Sequence, residues 1–404
     1  MRTVGEHRVH ALSLVSPLTA HPVRIEDAYG HVLAADVLAP SALPRWDNSA
    51  MDGYAVRAED VRGASVGSAV TLEVLADLAA GSDATPEVRP GTAARIMTGA
   101  PLPPGADAVV PVEDTDGGTA TVRVVREAPR GAHIRRAGED VGSGDVVLTA
   151  GTLLGPTQVA AAASVGSAEV LVHRRPRVAV LSTGSELRPP GEPLRRGQIP
   201  DSNSYLLAAA VRAAGCDVVR VGAVSDEPAR LRAVLDEQAG RVDAVVTSGG
   251  VSMGAYDVVK EVLASQDGME FVQVAMQPGK PQGIGRLAGT PLVALPGNPV
   301  SAWVSFEVFV RPALLTLRGL RSVHRAEMHA VAHDGWRSPA GREQYMPAVL
   351  ADGPDGPEVR RAVAGGSGSH LVAGLARAQV LAVVDADVED VRAGDRVRVM
   401  RVDL

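Results

Sequence analysis

Two lysines stand against 38 arginines in 404 residues, and Cys216 is the only thiol. A single cysteine excludes an intrachain disulfide and any thiolate metal cluster. Cys216 follows a helical run in AAGCDVV and reads as a small buried apolar side chain. A catalytic thiol is the other reading, but no neighbouring feature in the sequence would lower its pKa. Aromatics supply 3% of residues, so Ala, Val and Leu must fill the cores. Acidic residues outnumber basic ones 47 to 40, with no basic block or aromatic-and-basic stripe, which argues against a nucleic-acid partner. The N-terminus MRTVGEHRVHALSLVSPL lacks a long apolar core and a small-residue cleavage site. No apolar run approaches the length of a membrane span. The expectation is a soluble, cytoplasmic protein with no membrane contact.

A chain this long predicts roughly two to four domains, and its texture changes along its length. Residues 1–43 suggest one or two helices, ending in the breaker-rich APSALPRWDNS. Residues 44–137 carry short Val-rich runs between Gly, Pro and Asp, the pattern of a small β-rich domain. Residues 138–173 return to a strand and an Ala-rich helix. If they pack with the N-terminal helices, the β-rich region is an insertion.

Residues 174–322 alternate nearly all-apolar strands (RVAVLS, CDVVRVGAV, VDAVVTSGG, MEFVQVAM, TPLVALPG) with helices. Asp201, Ser202 and Asn203 are cap candidates for the first helix, and Pro228 falls in the first turn of the next. That order predicts an α/β domain whose parallel sheet is covered on both faces. Residues 323–404 read as a small β-domain, closing with two strands joined by a turn around Ala393, Gly394 and Asp395.

Open α/β sheets bind ligands beyond the carboxyl ends of their strands. Here those ends are STGSE (182–186), SDEP (225–228), TSGGVSMGAYD (247–257), QPGKP (277–281) and LPGNPVS (295–301). Loops of Gly, Pro, Ser and Thr bring backbone N–H groups close to an anion. None matches a Walker loop or a dinucleotide fingerprint, and each alone is ordinary turn chemistry. Five on one edge favour a phosphate-bearing ligand. Its candidate contacts are Ser182, Thr183, Gly184, Gly249, Gly250, Ser252, Pro296, Gly297, Asn298 and Pro299.

Glu186, Asp226 and Asp257 lie on the same edge. Asp226 by itself reads as a helix cap, and Asp257 suits the dipole of a helix start. Together with Glu186 they suit Mg²⁺, which takes carboxylates, phosphate oxygens and water. The ten histidines show no ligand spacing, and only His370 adjoins a glycine-rich turn, so zinc is not expected. Lys280 is either part of a surface turn or a compact ammonium chosen over a planar guanidinium.

In order along the chain come DNSAMDGYAVR, RIMTGAPLPPGADAVV, RRAGEDV, VAVLSTGSEL, SGGVSMGAYD, PGKP and LPGNPVSA. This series resembles the molybdopterin molybdenumtransferase family, the molybdate-inserting enzymes of molybdenum cofactor synthesis, related to the C-terminal part of gephyrin. The resemblance covers nearly the whole chain. It implies four domains, the third a molybdopterin-binding α/β domain, in an elongated homodimer. It implies that adenylylated molybdopterin and molybdate give molybdenum cofactor and AMP with Mg²⁺ present. Contact with the adenylyltransferase that makes the substrate is implied as well.

By that resemblance, Asp52, Thr98 and Asp140 build a cleft wall supplied by the second subunit. Glu186, Asp226 and Asp257 match acidic cleft residues, the last two for Mg²⁺-linked catalysis. Pro296 and Pro299 shape their loop, and Lys280, Ser301, Arg342 and Ser369 hold molybdate. Relatives often carry a lysine where this chain has Gln277, which can donate a hydrogen bond but adds no charge. Three rivals accompany this expectation. One is a molybdopterin-binding scaffold without catalysis. Another is the single-domain adenylyltransferase, against which three further domains argue. The third is the same enzyme using tungstate.

Overall fold

The apolar run RVAVLS lies in strand Arg177–Thr183 of the computed structural model, which describes residues 1–251, 257–266, 268–354, 356–363 and 368–402. Successive strand side chains point to opposite faces, and here both faces are apolar. Val178 and Val180 join a core with Leu207 and Val211 of helix Asn203–Ala213. Ala179 and Leu181 join a second core with Leu231 and Leu235 of helix Pro228–Gln238. Ala244–Ser248 divides in the same way, with Val246 on the first face and Val245 on the second. Two covered faces are why these strands read as unbroken hydrophobic runs. Cys216 belongs to the first core, and burial pushes its thiol up to about 12, an inert state.

The sheet has six strands in the order Asp217–Val224, Arg177–Thr183, Ala244–Ser248, Thr290–Leu295, Pro281–Leu287, Glu270–Gln273. The first four run parallel, as expected. The remaining pairings are antiparallel, a correction to the all-parallel reading. The segment PQGIGRL hides a strand because Pro and Gly have low β propensity, yet packing demands the glycines. A Cβ on Gly283 would stand 2.8 Å from the Phe271 ring, and one on Gly285 2.0 Å from the Gly268 carbonyl oxygen.

Before this sheet, Glu169–His173 pairs with both Ala20–Arg24 and Val32–Leu33, so the chain returns to its first strands after a long excursion. The excursion contains a five-stranded sheet around Gly53–Val56, where buried Tyr54 donates its hydroxyl to the Gly118 carbonyl at 2.9 Å. After the central sheet, strands Glu327–Ala332, Glu343–Gly353, Gly356–Arg361, Val380–Val384 and Arg396–Arg401 close on themselves. Closure removes free edges, with one exception: Met276–Gln277 adds in parallel beside the start of Glu343–Gly353.

The helical segment Pro299–Leu317 is long and apolar enough to cross a membrane by length and composition alone. That corrects the reading that no run approaches this length, since Glu307 and Arg311 break the run without ending the helix. The segment is 83% buried within the protein and serves as a core helix. Glu307, itself buried, is held by Arg325 at 2.9 Å.

Helix Val4–Ser13 starts with a capping box between Thr3 and Glu6 and packs Val4 and Ala11 into the central core. His7 on the same face is fully buried, its ring edge-on to Phe309 at 4.6 Å, and neither ring nitrogen has a partner among the described residues. Burial first, then the charge of Arg2, lowers its pKa from 6.5 to about 4. The unfolded chain thus binds this proton below about 6.5 while the folded protein refuses it until about 4. The stability is whole above that window and is lost as pH falls through it, by on the order of 3 kcal/mol. Urea midpoints at pH 7.5 and 5 should show wild type losing stability and His7→Leu losing clearly less. Parallel loss in both proteins would refute the assignment.

Candidate functional site

The parallel strands change character at their carboxyl ends. Ser182, Thr183, Thr247 and Ser248 are buried polar residues that continue the apolar runs. Beyond them opens a cleft of about 600 Å³. The loops at its base approach backbone to backbone. A Cβ on Gly249, at φ 99°, would stand 2.6 Å from the Thr183 carbonyl oxygen, and one on Gly297 3.4 Å from the Gly249 Cα. Glycine is required there by contact as well as by dihedral.

Of the residues singled out from sequence, Ser182, Thr183, Gly184, Glu186, Asp226, Gly249, Gly250, Asp257, Gly297, Asn298 and Pro299 line this cleft. Pro296 is buried in the loop that carries Gly297. Ser252 lies outside the described residues. The cap reading of Asp226 is corrected. Its helix has Glu227 at the N-cap without a side-chain cap, and Pro228 removes one of the donors a cap would serve. Asp226 turns instead to the neighbouring loop, accepting from Ser185 N at 2.8 Å while its own N–H donates to Ser185 Oγ at 3.0 Å. The reciprocal pair fixes the carboxylate against the cleft wall.

Asp201 and Asn203 also line the cleft, although the sequence marked them only as cap candidates. Asp201 does cap, accepting from Ser204 N at 3.1 Å and from the Ser204 hydroxyl. Asn203 does something else. Its Nδ2 donates to Ser248 Oγ and to the Gly297 carbonyl, both at 2.7 Å, tying two glycine loops together. A carbonyl cannot donate, so the amide orientation is determined and Oδ1 is left buried without a partner among the described residues. The one sequence signal at this position is its place among the cap candidates at the start of helix Asn203–Ala213. His370 lines the cleft from the opposite side, where Ser369 accepts from Asn298 Nδ2 at 3.0 Å and its carbonyl accepts from Val300 N at 3.1 Å.

Lys280, Ser301 and Arg342 stand outside the cleft lining; Ser301 lies in helix Pro299–Ser305. Gln282, fully buried, donates to the Gly279 carbonyl at 2.6 Å and to Ser305 Oγ at 2.7 Å, which clamps the Lys280 loop to that helix. Ser301 is buried one turn before Ser305. Arg342 Nη1 donates to Gln277 Oε1 at 2.9 Å across the parallel pairing of Met276–Gln277 with Glu343–Gly353. Among the described residues neither Lys280 nor Arg342 has an ion-pair partner.

Asp52, Thr98 and Asp140 are exposed and do not line the cleft of their own chain. Asp52 Oδ1 accepts from Thr98 N at 2.7 Å and Thr98 Oγ1 at 2.8 Å. These bonds, the backbone one first, hold its carboxyl below the usual range. Asp140 is anchored by its N–H on the Leu43 carbonyl at 3.1 Å.

The described cleft lining carries Glu186, Asp201, Asp226 and Asp257 and neither lysine nor arginine. Among the described residues no three His, Cys, Asp or Glu converge as a metal cage. Carboxylates without a cage suit Mg²⁺ shared between carboxylate, ligand oxygens and water.

Three families match in chain order: MoeA N-terminal region (domain I and II) over residues 2–166, probable molybdopterin binding domain over 179–316, and MoeA C-terminal region (domain IV) over 329–402. Molybdopterin molybdenumtransferase 2 of Mycobacterium tuberculosis is 48% identical over 99% of both chains. The molybdopterin molybdenumtransferase of Haemophilus influenzae is 35% identical over 99% of this chain and 98% of its own. A crystal structure of the molybdopterin biosynthesis moeA protein from Pyrococcus horikoshii OT3 superposes with a TM-score of 0.85 at 27% identity, covering 100% of both chains. The chain belongs to the molybdopterin molybdenumtransferase family, transferases of molybdenum cofactor biosynthesis.

Proposed function

We propose that this protein inserts molybdate into adenylylated molybdopterin, releasing AMP with Mg²⁺ bound. The observation that carries the reading is the adjacency of two unlike sites. A cleft of glycine loops and carboxylates meets helix Pro299–Ser305 at its start, and Ser305 at its end is bonded to the Lys280 loop, whose Gln277 takes Arg342; neither cation has an ion-pair partner among the described residues. The first suits phosphates accompanied by a metal, the second a tetrahedral oxyanion.

In this reading the backbone N–H groups of the loops at Gly250 and Gly297 cradle the pyrophosphate link, and Asn203 keeps those two loops in register. Asp226 and Asp257 would hold Mg²⁺ together with phosphate oxygens, and the ion would supply charge compensation to the phosphoanhydride. Glu186 borders the same space. Lys280 and Arg342 orient molybdate, with Ser301 and Ser369 as hydroxyl partners. The bond from Asn298 to the Ser369 hydroxyl supports the part of Ser369 in this reading.

The proposal includes a cytoplasmic homodimer whose second copy brings Asp52, Thr98 and Asp140 to this cleft. Their exposure and their absence from their own chain's cleft support that arrangement. The corresponding division of the chain is 1–43 with 138–173, 44–137, 174–322 and 323–404. Supply of the substrate by direct contact with the adenylyltransferase belongs to the same reading.

Purified protein with adenylylated molybdopterin, Mg²⁺ and molybdate should release AMP only when molybdate is present. Binding without release would mark a scaffold and sink the enzyme. Asp257→Asn should reduce turnover by about 100-fold or more with the melting temperature unchanged, and wild-type turnover would refute the metal assignment. Lys280→Arg should raise the KM for molybdate about fivefold with little change in that for the pterin, because a planar fork replaces a point charge. Unchanged molybdate dependence would make the lysine incidental.

A further inference from the structure

The pairing of Gln277 with Arg342 has a function of its own. Arginine has only donors to offer, so the Gln277 atom facing it at 2.9 Å must be the carbonyl oxygen. The bond joins the Lys280 loop to the C-terminal barrel at a point where the backbones are already in register, Gln277 opposite Gln344 and Glu343 N on the Ala275 carbonyl at 3.0 Å. The nearest carboxylate in sequence, Glu343, is occupied by the Tyr345 hydroxyl at 2.8 Å and by Arg398 at 3.3 Å. Arg342 is therefore held by a neutral acceptor, and its charge remains uncompensated among the described residues.

We propose that Gln277 is a positioning residue that holds the Arg342 guanidinium at the oxyanion site without neutralising it. The inference rests on the molybdate site described above and adds the reason for an amide at this position. A lysine at 277 cannot accept the Arg342 hydrogen bond and would repel the guanidinium. A glutamate would hold it firmly and cancel the charge that the oxyanion needs. Glutamine alone among the three accepts and leaves the charge free, so this chain draws its second cation from the barrel rather than from the loop.

The test is calorimetric titration of molybdate alone into the full-length protein, with variants Gln277→Met, Gln277→Glu, Arg342→Ala and the double variant Gln277→Met/Arg342→Ala. Removing the acceptor at nearly constant volume should weaken the dissociation constant about fivefold, and Arg342→Ala about tenfold. The double variant should bind within about twofold of Arg342→Ala, since Gln277 acts through the arginine. Gln277→Glu should bind at least about fivefold more weakly than wild type although it keeps the acceptor. A merely structural contact predicts no loss there.

Additive losses, wild-type binding in Gln277→Met or Gln277→Glu, or no molybdate binding by wild type each overturns the proposal. Melting temperatures within about 2 °C of wild type identify the losses as local. Molybdate-dependent AMP release is measured separately on wild type. Its absence alongside the expected binding pattern would refute the enzymatic reading and leave this inference standing.

Discussion

A sheet covered on both faces has only its edge left for chemistry. Val178, Val180 and Val246 are committed to one helical layer, and Ala179, Leu181 and Val245 to the other. A polar group on either face would be buried without water, at a cost of several kcal/mol. Arg177–Thr183 and Ala244–Ser248 turn polar at their carboxyl ends, and there the buried hydroxyls of Ser182 and Thr247 have no partner among the described residues. What an apolar sheet excludes from its body accumulates where its backbone ends.

The edge would be a set of separate turns without the buried amides that join them. Asn203 spans the loops after two different strands, and Gln282 secures the Lys280 loop to helix Pro299–Ser305. A Cβ on Gly279 would stand 2.8 Å from Ser305 Oγ, so the loop lies on that helix with no room for a side chain. Each amide makes both bonds through its nitrogen, and Asn203 Oδ1 and Gln282 Oε1 are buried without a partner among the described residues. The C-terminal barrel enters through the same geometry. Its strand Glu343–Gly353 accepts Met276–Gln277 as a parallel neighbour, and its Ser369 loop bonds Asn298.

Strand runs and edge loops were legible because burial on two faces leaves long apolar words in the chain. The antiparallel strand Pro281–Leu287 was not, since its glycines answer to Phe271 and to the Gly268 carbonyl, contacts that no local window contains. Asp226 was misread for a related reason. Its spacing before Pro228 is that of a cap, but its partner Ser185 is 41 residues away. Arg342 was named only through family likeness; nothing in its own neighbourhood announces that a parallel pairing 65 residues distant delivers it to Gln277. Local chemistry survives reading in one dimension, and a partner chosen by topology does not.

The scarcity of lysine gains meaning from this arrangement. A planar guanidinium binds best when something holds its orientation, and many arginines here are held by carboxylates, as Arg174 is by Asp243 and Arg325 by Glu307. Such pairs spend the charge on the protein itself. A site for an oxyanion needs cations that stay charged, and two routes lead there. One is an ammonium, compact enough to need no orienting partner, as at Lys280. The other is a guanidinium oriented by a neutral acceptor, as at Arg342. Both occur on one short loop and its barrel neighbour, while the adjoining cleft keeps only carboxylates among its described charged residues apart from His370. On the proposed reading, separating the signs in this way would let one anionic substrate meet a metal and another meet fixed cations, without either set neutralising the other.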